Sequence, residues 1–383
     1  MRTVFFVCTS EFFGGAEWVG LQVQKILKEK FKVVTVVNQK NAARFADIGH
    51  VLYSSFIPSK YAKVATNFTA LFYFLLIFPK KIFWRFQWNK DSLIYCNDIE
   101  SLLIAIPLKL FFHCHIIWHI HDIYKIEKLK TRILLTCVTR FVDTLVCLTP
   151  KNSARMRHIF SGRIEVLPSY PRTPTIDLKF CLQETANAPF KLGFLGQITR
   201  WKGIETSIEV VHHLHASSLV NCFTIGGTPL FDQDKDYATT LIKKTSGYTY
   251  LKWIGHVDDV EQFFSNIDFL IVLSENEPFG LVILEALSRG VPVISARGDG
   301  PDELITPGTG YFLDPHDESS MLELEQTMSN MTKDDYSRMR ANCVARASQF
   351  SQITFKRKLL DTIDATLYPR RNGGALGARD PHP

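Results

Sequence analysis

The sequence predicts an α/β protein built on parallel sheets and organised as two domains. Short apolar runs with the length and β-branched content of buried strands alternate with stretches of helical periodicity. The 383 residues are enough for two domains of ordinary size. Hydrophobic residues make up 46% of the chain and charged residues 21%, which is typical of a globular protein rather than a disordered one.

Strands and helices alternate through the first half of the chain. The apolar runs predict buried strands, and apolar residues three and four apart predict helices. The predicted strands are Thr3–Cys8, Lys32–Val37, Ser92–Cys96, one within His113–Tyr124, Asp143–Leu148 and Ile164–Leu167, and the helices are Ala16–Lys28, Ile99–Phe112, Lys125–Phe141 and one from Pro150.

The second half repeats this alternation. Its centre is a unit of strand, polar turn, helix and strand, in which Gly290 is a typical helix stop. The predicted strands are Lys191–Gly196, Asn221–Ile225, Thr249–Ile254, Phe269–Leu273 and Val291–Ile294, and the helices are Ile204–His215, Phe279–Gly290, Glu318–Met331, Lys333–Ser348 and Ile353–Leu367.

Between the two halves lies a stretch rich in proline and threonine, which we interpret as an interdomain linker. The predicted organisation is an N-terminal domain at 1–168, the linker at 169–190, a C-terminal domain at 191–350 and a final helix at 351–368. Residues 369–383 are rich in glycine, arginine and proline and predict a disordered tail.

The charge is divided unevenly between the two halves. Residues 1–180 carry 25 Lys and Arg against 12 Asp and Glu, a net +13, whereas the whole chain has a net charge of +6. The basic half therefore favours an anionic partner, and an anionic membrane surface or a phosphorylated acceptor fits better than nucleic acid. The chain contains no helix-turn-helix, RNP or zinc-finger pattern, so nucleic acid is not an expected partner.

An apolar stretch within this basic half, Phe68–Phe78, is followed by a basic aromatic stretch that runs to Lys90. The apolar run is shorter than the roughly 20 residues needed to span a bilayer. A buried helix with a solvated loop is one interpretation. Peripheral attachment to an anionic membrane, with aromatic residues at headgroup level, is the other.

The cysteines indicate a reducing compartment. The eight cysteines include no C-x-x-C pair, and several lie in apolar strands or helices, where a free cysteine behaves as a small hydrophobic residue. The N-terminus has no convincing signal-peptide cleavage site and predicts a first strand and turn. We expect a cytoplasmic protein, with the inner face of the plasma membrane as a possible site of attachment.

Two carboxylates eight residues apart, Glu277 and Glu285, flank a predicted helix N-terminus near Phe279, Gly280 and Leu281. Glu277 follows a buried strand at the end where ligands bind in open α/β sheets. Free backbone N–H groups at a helix N-terminus favour anions. Glu277, the N–H groups and Glu285 are suited to bind sugar hydroxyls, a phosphate and ribose hydroxyls, in that order. A solvated glutamate in a loop and a glutamate in the first turn of a helix would give the same spacing without binding a ligand.

Two further turns carry similar chemistry. Gly14 and Gly15 separate the first strand from its helix and permit close approach of a phosphate or sugar, although a plain tight turn is equally compatible. Arg200 and Lys202 stand just before another helix N-terminus, where a diphosphate would meet both cations and free N–H groups.

The segment from Glu277 to Glu285, with Pro278-Phe279-Gly280 inside it, resembles the E-x7-E signature of retaining glycosyltransferases of family 4. The resemblance continues through Gly290-Val291-Pro292 to Glu303 and covers about residues 3–367, most densely in the C-terminal half. It implies a GT-B fold, two Rossmann-like domains facing across a cleft. It also implies a hexosyl transfer from a nucleotide-diphosphate sugar, UDP- or GDP-linked, to a glycan or lipid-linked acceptor in cell-surface polysaccharide synthesis, without a metal or other cofactor.

The resemblance assigns roles to individual residues. It implies that His121 lies beside the anomeric carbon, that Glu277 holds the transferred sugar and that Glu285 holds the ribose. Lys202 is expected at the diphosphate. Gln197 stands where the family often has arginine, so Arg200 is expected to substitute for that missing cation. Further substrate contacts are expected from glycines and main-chain groups: Gly14, Gly15, Gly255, Phe279, Gly280 and Leu281.

Four histidines, at 113, 115, 119 and 121, share parity and would lie on one face of a strand. A zinc site is conceivable there, but no further metal motif accompanies the histidines, so we expect none. The acidic run from Asp232 to Asp236 is interpreted as a helix start rather than a metal site. A nucleotide-sugar epimerase or a phosphorylase of the same fold, or a non-catalytic subunit that binds donor or membrane, stays open as an alternative function.

Overall fold

The computed structural model describes residues 2–45, 50–54, 91–172 and 188–368. The apolar stretch Phe68–Phe78, the basic aromatic stretch after it, most of the linker and the tail at 369–383 lie outside the described residues. The predictions made for those segments therefore stay predictions.

The first half of the chain forms a parallel sheet of seven strands with the order β3-β2-β1-β4-β5-β6-β7. The chain moves outward from β1 to β3 and then returns to the other side of β1, so the strand order reverses between β1 and β4. The strands are β1 Thr3–Cys8, β2 Lys32–Asn38, β3 His50–Ser54, β4 Leu93–Cys96, β5 His115–Ile120, β6 Thr144–Cys147 and β7 Arg163–Val166.

Helices cover both faces of this sheet, which explains why its strands are apolar on both sides. The first-half helices are α1 Gly15–Lys30, α2 Ala42–Phe45, α3 Leu102–Phe112, α4 Leu129–Thr139 and α5 Pro150–Met156. Helices α3, α4 and α5 pack on one face through Leu108, Leu135 and Met156, and α1 packs on the other face through Val23 and Leu27.

The second half forms a parallel sheet of six strands with the order β10-β9-β8-β11-β12-β13, so this order reverses between β8 and β11. Its strands are β8 Phe190–Leu195, β9 Val220–Gly226, β10 Leu251–Gly255, β11 Phe269–Val272, β12 Val293–Ser295 and β13 Gly310–Phe312. Its helices are α6 Ile204–Ala216, α7 Asp232–Lys244, α8 Val260–Ser265, α9 Leu281–Ser288, α10 Asp299–Leu304, α11 Glu318–Ser329 and α12 Lys333–Ala347.

The last helix, α13 Gln352–Leu367, crosses back to the first sheet. Its buried residues Phe355, Leu359 and Ile363 join the apolar cluster of β1 and α1. Thr366 Oγ1 lies 2.8 Å from Thr144 Oγ1 on β6, and Lys356 pairs with Glu29 at the end of α1. The C-terminal end of the chain thus contributes to the N-terminal core.

Several predicted boundaries are wrong, for local physical reasons. Helix α4 begins at Leu129 rather than Lys125, because Lys128 has an extended backbone. Helix α3 begins at Leu102 rather than Ile99, because the residues before it form a tighter turn with i→i+3 bonds, such as Leu102 N–H to the Ile99 carbonyl; Asp98 caps this turn by accepting from the Ser101 N–H.

His113 was predicted on the strand but ends helix α3 instead, with a left-handed backbone at φ +57°. It therefore does not share the strand face of the other three histidines. The acidic run does begin a helix, but Phe231 occupies the cap position, and Asp232 pairs with Lys235 one turn later. The helix α10 was not predicted, since its sequence DGPDEL has two helix-breaking residues.

Candidate active site

The candidate site lies where the carboxyl-terminal strand ends of the two sheets face each other. Both sheets reverse their strand order there, next to β1 and β4 in the first and β8 and β11 in the second, and open α/β sheets bind ligands at such points. A β-carbon on Gly15 would lie 3.2 Å from Leu281 Cδ1, and one on Gly14 would lie 3.6 Å from Gln197 Nε2. The fold thus brings together four predicted site residues from opposite domains.

An ion pair joins the two loops of the second sheet. Lys202 Nζ donates a hydrogen bond to Glu277 Oε2 at 2.6 Å, and both side chains are largely buried. The loops are also joined through their backbones, since the Glu275 N–H donates to the Trp201 carbonyl at 3.0 Å. An ammonium has three N–H donors, so Lys202 has two beyond its bond to Glu277, and its Nζ also lies 4.2 Å from the centre of the Trp201 ring.

The loop that presents Lys202 depends on Gly203. This residue has φ +67° and is followed directly by helix α6. A β-carbon at this position would lie 2.0 Å from the Leu273 carbonyl oxygen at the end of β11. The close approach of the two backbones therefore holds Lys202 next to the loop that carries Glu277.

Glu285 lies one turn inside helix α9 and is only 4% exposed. Burial raises the pKa of its carboxyl group, and the nearby Arg172 and Arg289 oppose this shift. Arg172 Nε lies 3.1 Å from Glu285 Oε1, but this oxygen has no well-formed hydrogen bond to any described residue. A buried carboxylate oxygen without a hydrogen bond is suited to accept one from a ligand hydroxyl.

Helix α9 begins in the conformation that an anion site requires. Gly280 caps it with φ +84°, and the first intrahelical bond runs from the Ile283 N–H to the Gly280 carbonyl at 2.9 Å. The backbone N–H groups of Leu281 and its neighbours precede this bond and point out of the helix end. The Phe279 side chain is buried against Phe350, so only its backbone is available to a ligand.

On the opposite wall, His121 follows β5 and its Nε2 lies 3.1 Å from Asn97 Oδ1. Asn97 donates its amide N–H to the Ala16 carbonyl at 3.2 Å, which orients its oxygen toward the histidine. His121 Nε2 must then carry the proton, which leaves Nδ1 as an acceptor. Burial lowers the pKa of His121 to about 4, against the opposing effect of Asp122, so the ring is neutral at pH 7.

This pKa predicts a pH-dependent stability. An ordinary histidine has a pKa of about 6.5, so the unfolded chain binds a proton before the folded one as the pH falls. The free energy of unfolding should therefore decrease from about pH 6.5 to about pH 4 and level off below. Because the ring is partly exposed, we expect a contribution of about 1–2 kcal/mol.

Urea denaturation of the wild type and His121→Asn at pH 7.5 and pH 5 measures this contribution. The variant should lose less stability than the wild type on acidification, while His316→Asn, at an exposed histidine, should behave like the wild type. Parallel pH curves for the wild type and His121→Asn would contradict the prediction.

Two predicted site residues have other contacts. The Arg200 guanidinium lies 4.5 Å from the centre of the Tyr237 ring on α7, whereas Lys202 points to Glu277. The Gly255 carbonyl accepts a hydrogen bond from the Gly227 N–H at 2.6 Å, and a β-carbon on Gly255 would meet open space. Gly255 thus lies on the loop after β10, beside the loop after β9.

Of the other histidines on β5, His119 packs against His121 with ring centroids 4.1 Å apart, whereas His115 pairs elsewhere. His119 is fully buried, with Nδ1 2.8 Å from the Tyr95 hydroxyl, and His115 Nδ1 lies 3.9 Å from Asp143 Oδ1. Within the described residues, no group of three or more His, Cys, Asp or Glu side chains is arranged to hold a metal ion. A search of the same residues finds no helix with the length and apolar character of a membrane span.

The sequence did not reveal several residues of the cleft wall. Arg172 lies in the linker, where no pattern singles out one arginine. Asp98 accepts hydrogen bonds from the Thr9 backbone at 2.6 Å and the Thr9 hydroxyl at 2.8 Å, which ties the loop after β1 to the loop after β4. The position of Asn97-Asp98 directly after a strand was the one available signal.

Ion pairs hold the two domains together beside the cleft. Arg155 on α5 binds Asp299 on α10 through two hydrogen bonds, of 2.6 and 2.9 Å, and the Asp299 side chain is only 3% exposed. Asp299 raises the pKa of Arg155. Elsewhere between the domains, the rings of Phe12 and Phe231 meet edge-on with their centroids 4.5 Å apart. These contacts set the relative position of the walls that carry His121 and Glu277.

A family model matches the second half of the chain, and solved structures share its fold. Residues 183–349 match the family model described as glycosyl transferases group 1. Over 196 residues the chain is 29% identical to the lipopolysaccharide core biosynthesis glycosyltransferase LpsE of Rhizobium meliloti, covering 50% of this chain and 55% of that protein. It is 24% identical over 207 residues to glycogen synthase of Mycobacterium tuberculosis, covering 53% and 47% respectively. The chain thus spans about half the length of these curated relatives.

Solved structures match along nearly the whole chain. The Anabaena Alr3699/HepE structure in complex with UDP and glucose has a TM-score of 0.73 at 20% identity and covers 95% of this chain and 100% of its own. Sucrose-phosphate synthase from Thermosynechococcus elongatus has a TM-score of 0.78 at 16% identity and covers 97% and 100%. The predicted GT-B fold, with two sheets facing across a cleft, is confirmed.

Proposed function

Since residues 183–349 match the family model described as glycosyl transferases group 1, we propose that this protein is a glycosyltransferase that uses a nucleotide-diphosphate sugar. It transfers a hexosyl group to a glycan or lipid-linked acceptor in cell-surface polysaccharide synthesis. The observation that carries the proposal is the buried Lys202–Glu277 pair. The loops that hold it also carry Gln197 and Leu281, which lie against the glycine loop of the other domain.

The chief electrostatic requirement of this reaction is to stabilise the negative charge on the leaving diphosphate. Lys202 has two N–H donors left beyond its bond to Glu277, and the N-termini of α6 and α9 supply backbone N–H groups and a positive dipole end. These groups neutralise the charge that develops on the diphosphate as the bond from the anomeric carbon to the phosphate oxygen breaks. A UDP-linked donor is supported by a similar fold that holds UDP and glucose in the Anabaena protein.

The two glutamates bind different parts of the donor. Glu285 accepts hydrogen bonds from the ribose hydroxyls, since its buried Oε1 has no hydrogen bond within the described chain. Glu277 accepts from hydroxyls of the transferred sugar while it orients Lys202. Neutral His121, on the opposite wall, offers Nδ1 as an acceptor beside the anomeric carbon.

We propose retention of the anomeric configuration, with attack on the same face as the leaving group. The acceptor hydroxyl forms the new bond to the anomeric carbon, and its proton passes to the departing phosphate oxygen. No metal or cofactor enters this scheme, because Lys202 and the helix N-termini take the charge. Closure of the two domains excludes water and limits hydrolysis of the donor.

A cytoplasmic location fits this chemistry and the cysteines. The described cysteines are all free, and five of the seven are buried. Burial raises the pKa of the Cys114 and Cys147 thiols to about 12, which makes them poor nucleophiles for disulfide exchange.

A donor panel tests the proposal. Thermal unfolding in UDP-glucose, UDP-galactose, UDP-N-acetylglucosamine, GDP-mannose and GDP-glucose should show stabilisation by at least one donor, about 2.7 kcal/mol at 100 times its Kd. Glu285→Ala should abolish most of this stabilisation, because the ribose loses its carboxylate. Glu325→Ala, at a surface glutamate that pairs with His213, is the matched control and should respond like the wild type.

Three outcomes would contradict the proposal. If no donor raises the unfolding temperature, the protein does not use these nucleotide sugars. Equal stabilisation of the wild type and Glu285→Ala would refute the assignment of the ribose site. Turnover of the bound donor without an acceptor, or only with phosphate, would favour an epimerase or a phosphorylase instead.

A further inference from the structure

Helix α4 of the N-terminal domain exposes large apolar side chains to solvent. Leu129 is 71% exposed, Ile133 55% and Leu134 53%, and Cys137 one turn further on is also exposed. Leu129, Ile133 and Cys137 are spaced four residues apart and therefore share one stripe of the helix. The same helix packs on the sheet through the buried Leu135, so the stripe is a second apolar face, directed away from the core.

Basic side chains surround this stripe. The segment from Lys125 to Arg140 contains five Lys and Arg residues and one carboxylate, Glu127. All five cations are exposed: Lys125, Lys128, Lys130, Arg132 and Arg140. An apolar stripe flanked by lysines and arginines is typical of helices that lie in a membrane interface.

The preceding helix also exposes apolar side chains. Helix α3 packs on the same face of the sheet as α4, and it exposes Leu110 by 60% and Phe111 by 66%. Helices of 11 residues are too short to cross a bilayer, which needs about 20 residues, so insertion would be limited to the interface.

We propose that the exposed face of α4, continued by α3, docks on an anionic lipid surface. Apolar side chains enter the headgroup region, and the five cations meet lipid phosphates. A second copy of the chain fits less well, because a two-fold symmetric contact would place one basic surface against another. This surface is formed by residues other than the 68–90 stretch, and its binding to lipid does not depend on the proposed sugar transfer.

The position of the surface has a consequence for the proposed reaction. Helix α4 starts eight residues after His121, so its N-terminal end lies at the cleft side of the domain. A lipid surface on this helix would hold the cleft near the headgroups, within reach of a lipid-linked acceptor. This consequence rests on the proposed function, whereas the docking itself is measured without donor or acceptor.

Sedimentation with vesicles tests the docking. The full chain should bind vesicles of phosphatidylglycerol and phosphatidylcholine and bind pure phosphatidylcholine at least tenfold less. Each Lys or Arg near an anionic surface contributes roughly a fivefold factor, so Lys125→Gln/Lys128→Gln/Lys130→Gln should lower the partition coefficient more than tenfold. Leu129→Ser/Ile133→Ser/Leu134→Ser should lower it by at least as much, since it removes the inserted groups.

Matched controls come from the C-terminal part of the chain. Leu322 is 54% exposed and Ile353 82%, so Leu322→Ser/Ile353→Ser changes similar side chains on helices α11 and α13 and should bind like the wild type. A polarity-sensitive dye on Cys137, with Cys181 and Cys222 replaced by serine, should shift to the blue when anionic vesicles are added. Unchanged unfolding temperatures would show that the triple variants are folded.

Equal vesicle binding by the wild type and both triple variants would overturn the proposal. A loss confined to the charge variant would also overturn it, because binding would then be electrostatic only. If the wild type does not bind vesicles but forms a dimer that the serine variant dissociates, the face is an interface between copies instead.

Discussion

Replacement of Lys202 by alanine is expected to lower kcat for sugar transfer about 100- to 1000-fold. This is the range found when one charge-stabilising donor is removed from a preorganised site. Lys202 is placed for this role by three features: its side chain is largely buried, it is held by Glu277 at 2.6 Å, and its loop is joined to the Glu277 loop through the backbone. The loss should appear mainly in kcat, because the charge on the diphosphate grows as the bond breaks.

Two comparisons separate this role from a structural one. Lys202→Ala leaves Glu277 buried without its cation, so Glu277→Gln/Lys202→Ala should regain stability without regaining activity. Lys244→Ala removes an exposed cation that pairs with Glu205 and should leave kcat unchanged. Steady-state rates with the donor chosen from the panel, together with thermal unfolding, supply both readouts.

A kcat for Lys202→Ala within threefold of the wild-type value would refute the assigned role. A large rise in KM with an unchanged kcat would mean that Lys202 binds the donor equally in the ground state and the transition state. Arg200 would then be the better candidate for the leaving diphosphate, despite its contact with Tyr237.

Gly203→Ala is expected to destabilise the protein by about 2–4 kcal/mol. The left-handed backbone costs an alanine roughly 1 kcal/mol or more, and the added methyl group would meet the Leu273 carbonyl oxygen at 2.0 Å. Because two backbones must separate to admit it, the loop with Lys202 should also move away from Glu277. Both the free energy of unfolding and the donor affinity should fall.

The other glycines provide a graded control. Gly255 has φ +68° but open space around its β-carbon position, so Gly255→Ala should cost only the backbone strain, about 1 kcal/mol. Gly247 has open space and no positive φ, so Gly247→Ala should be neutral or slightly stabilising. Urea denaturation of the three variants should rank them in that order. Equal costs at Gly203 and Gly255 would show that the contact with Leu273 is not tight.

The boundaries of the elements show where local pattern suffices. Strand β1 was predicted at its observed bounds, Thr3–Cys8. An unbroken apolar run that ends at a polar turn predicts a buried strand of that length from local pattern alone. The start of α4 was misplaced by four residues because residues 126–128 form a turn that ends in an extended Lys128, and no residue type in Lys125–Lys128 marks that turn in the sequence. Similarly, the two-residue spacing of the histidines predicted that His113 lies on a strand, but His113 is the residue that caps the C-terminal end of α3.

The sequence by itself determined the chemistry available to the site. The spacing of Glu277 and Glu285 around a glycine, the cations before α6 and the glycine pair after β1 are all local features, and each also predicts its own position at a strand end. The sequence likewise determined the α/β class, since apolar strands alternating with helices can bury both faces of a sheet only in a layered parallel arrangement.

Only the tertiary structure decided which of these features meet. Lys202 and Glu277 are 75 residues apart, and their contact exists because β8 and β11 are neighbours in the sheet. Gly15 faces Leu281 because the two domains are held by contacts such as Arg155–Asp299, between residues 144 apart. The partners of a side chain depend on strand order and domain packing. These arise from the burial of many apolar residues together, so they cannot be predicted from the residue type at any single position.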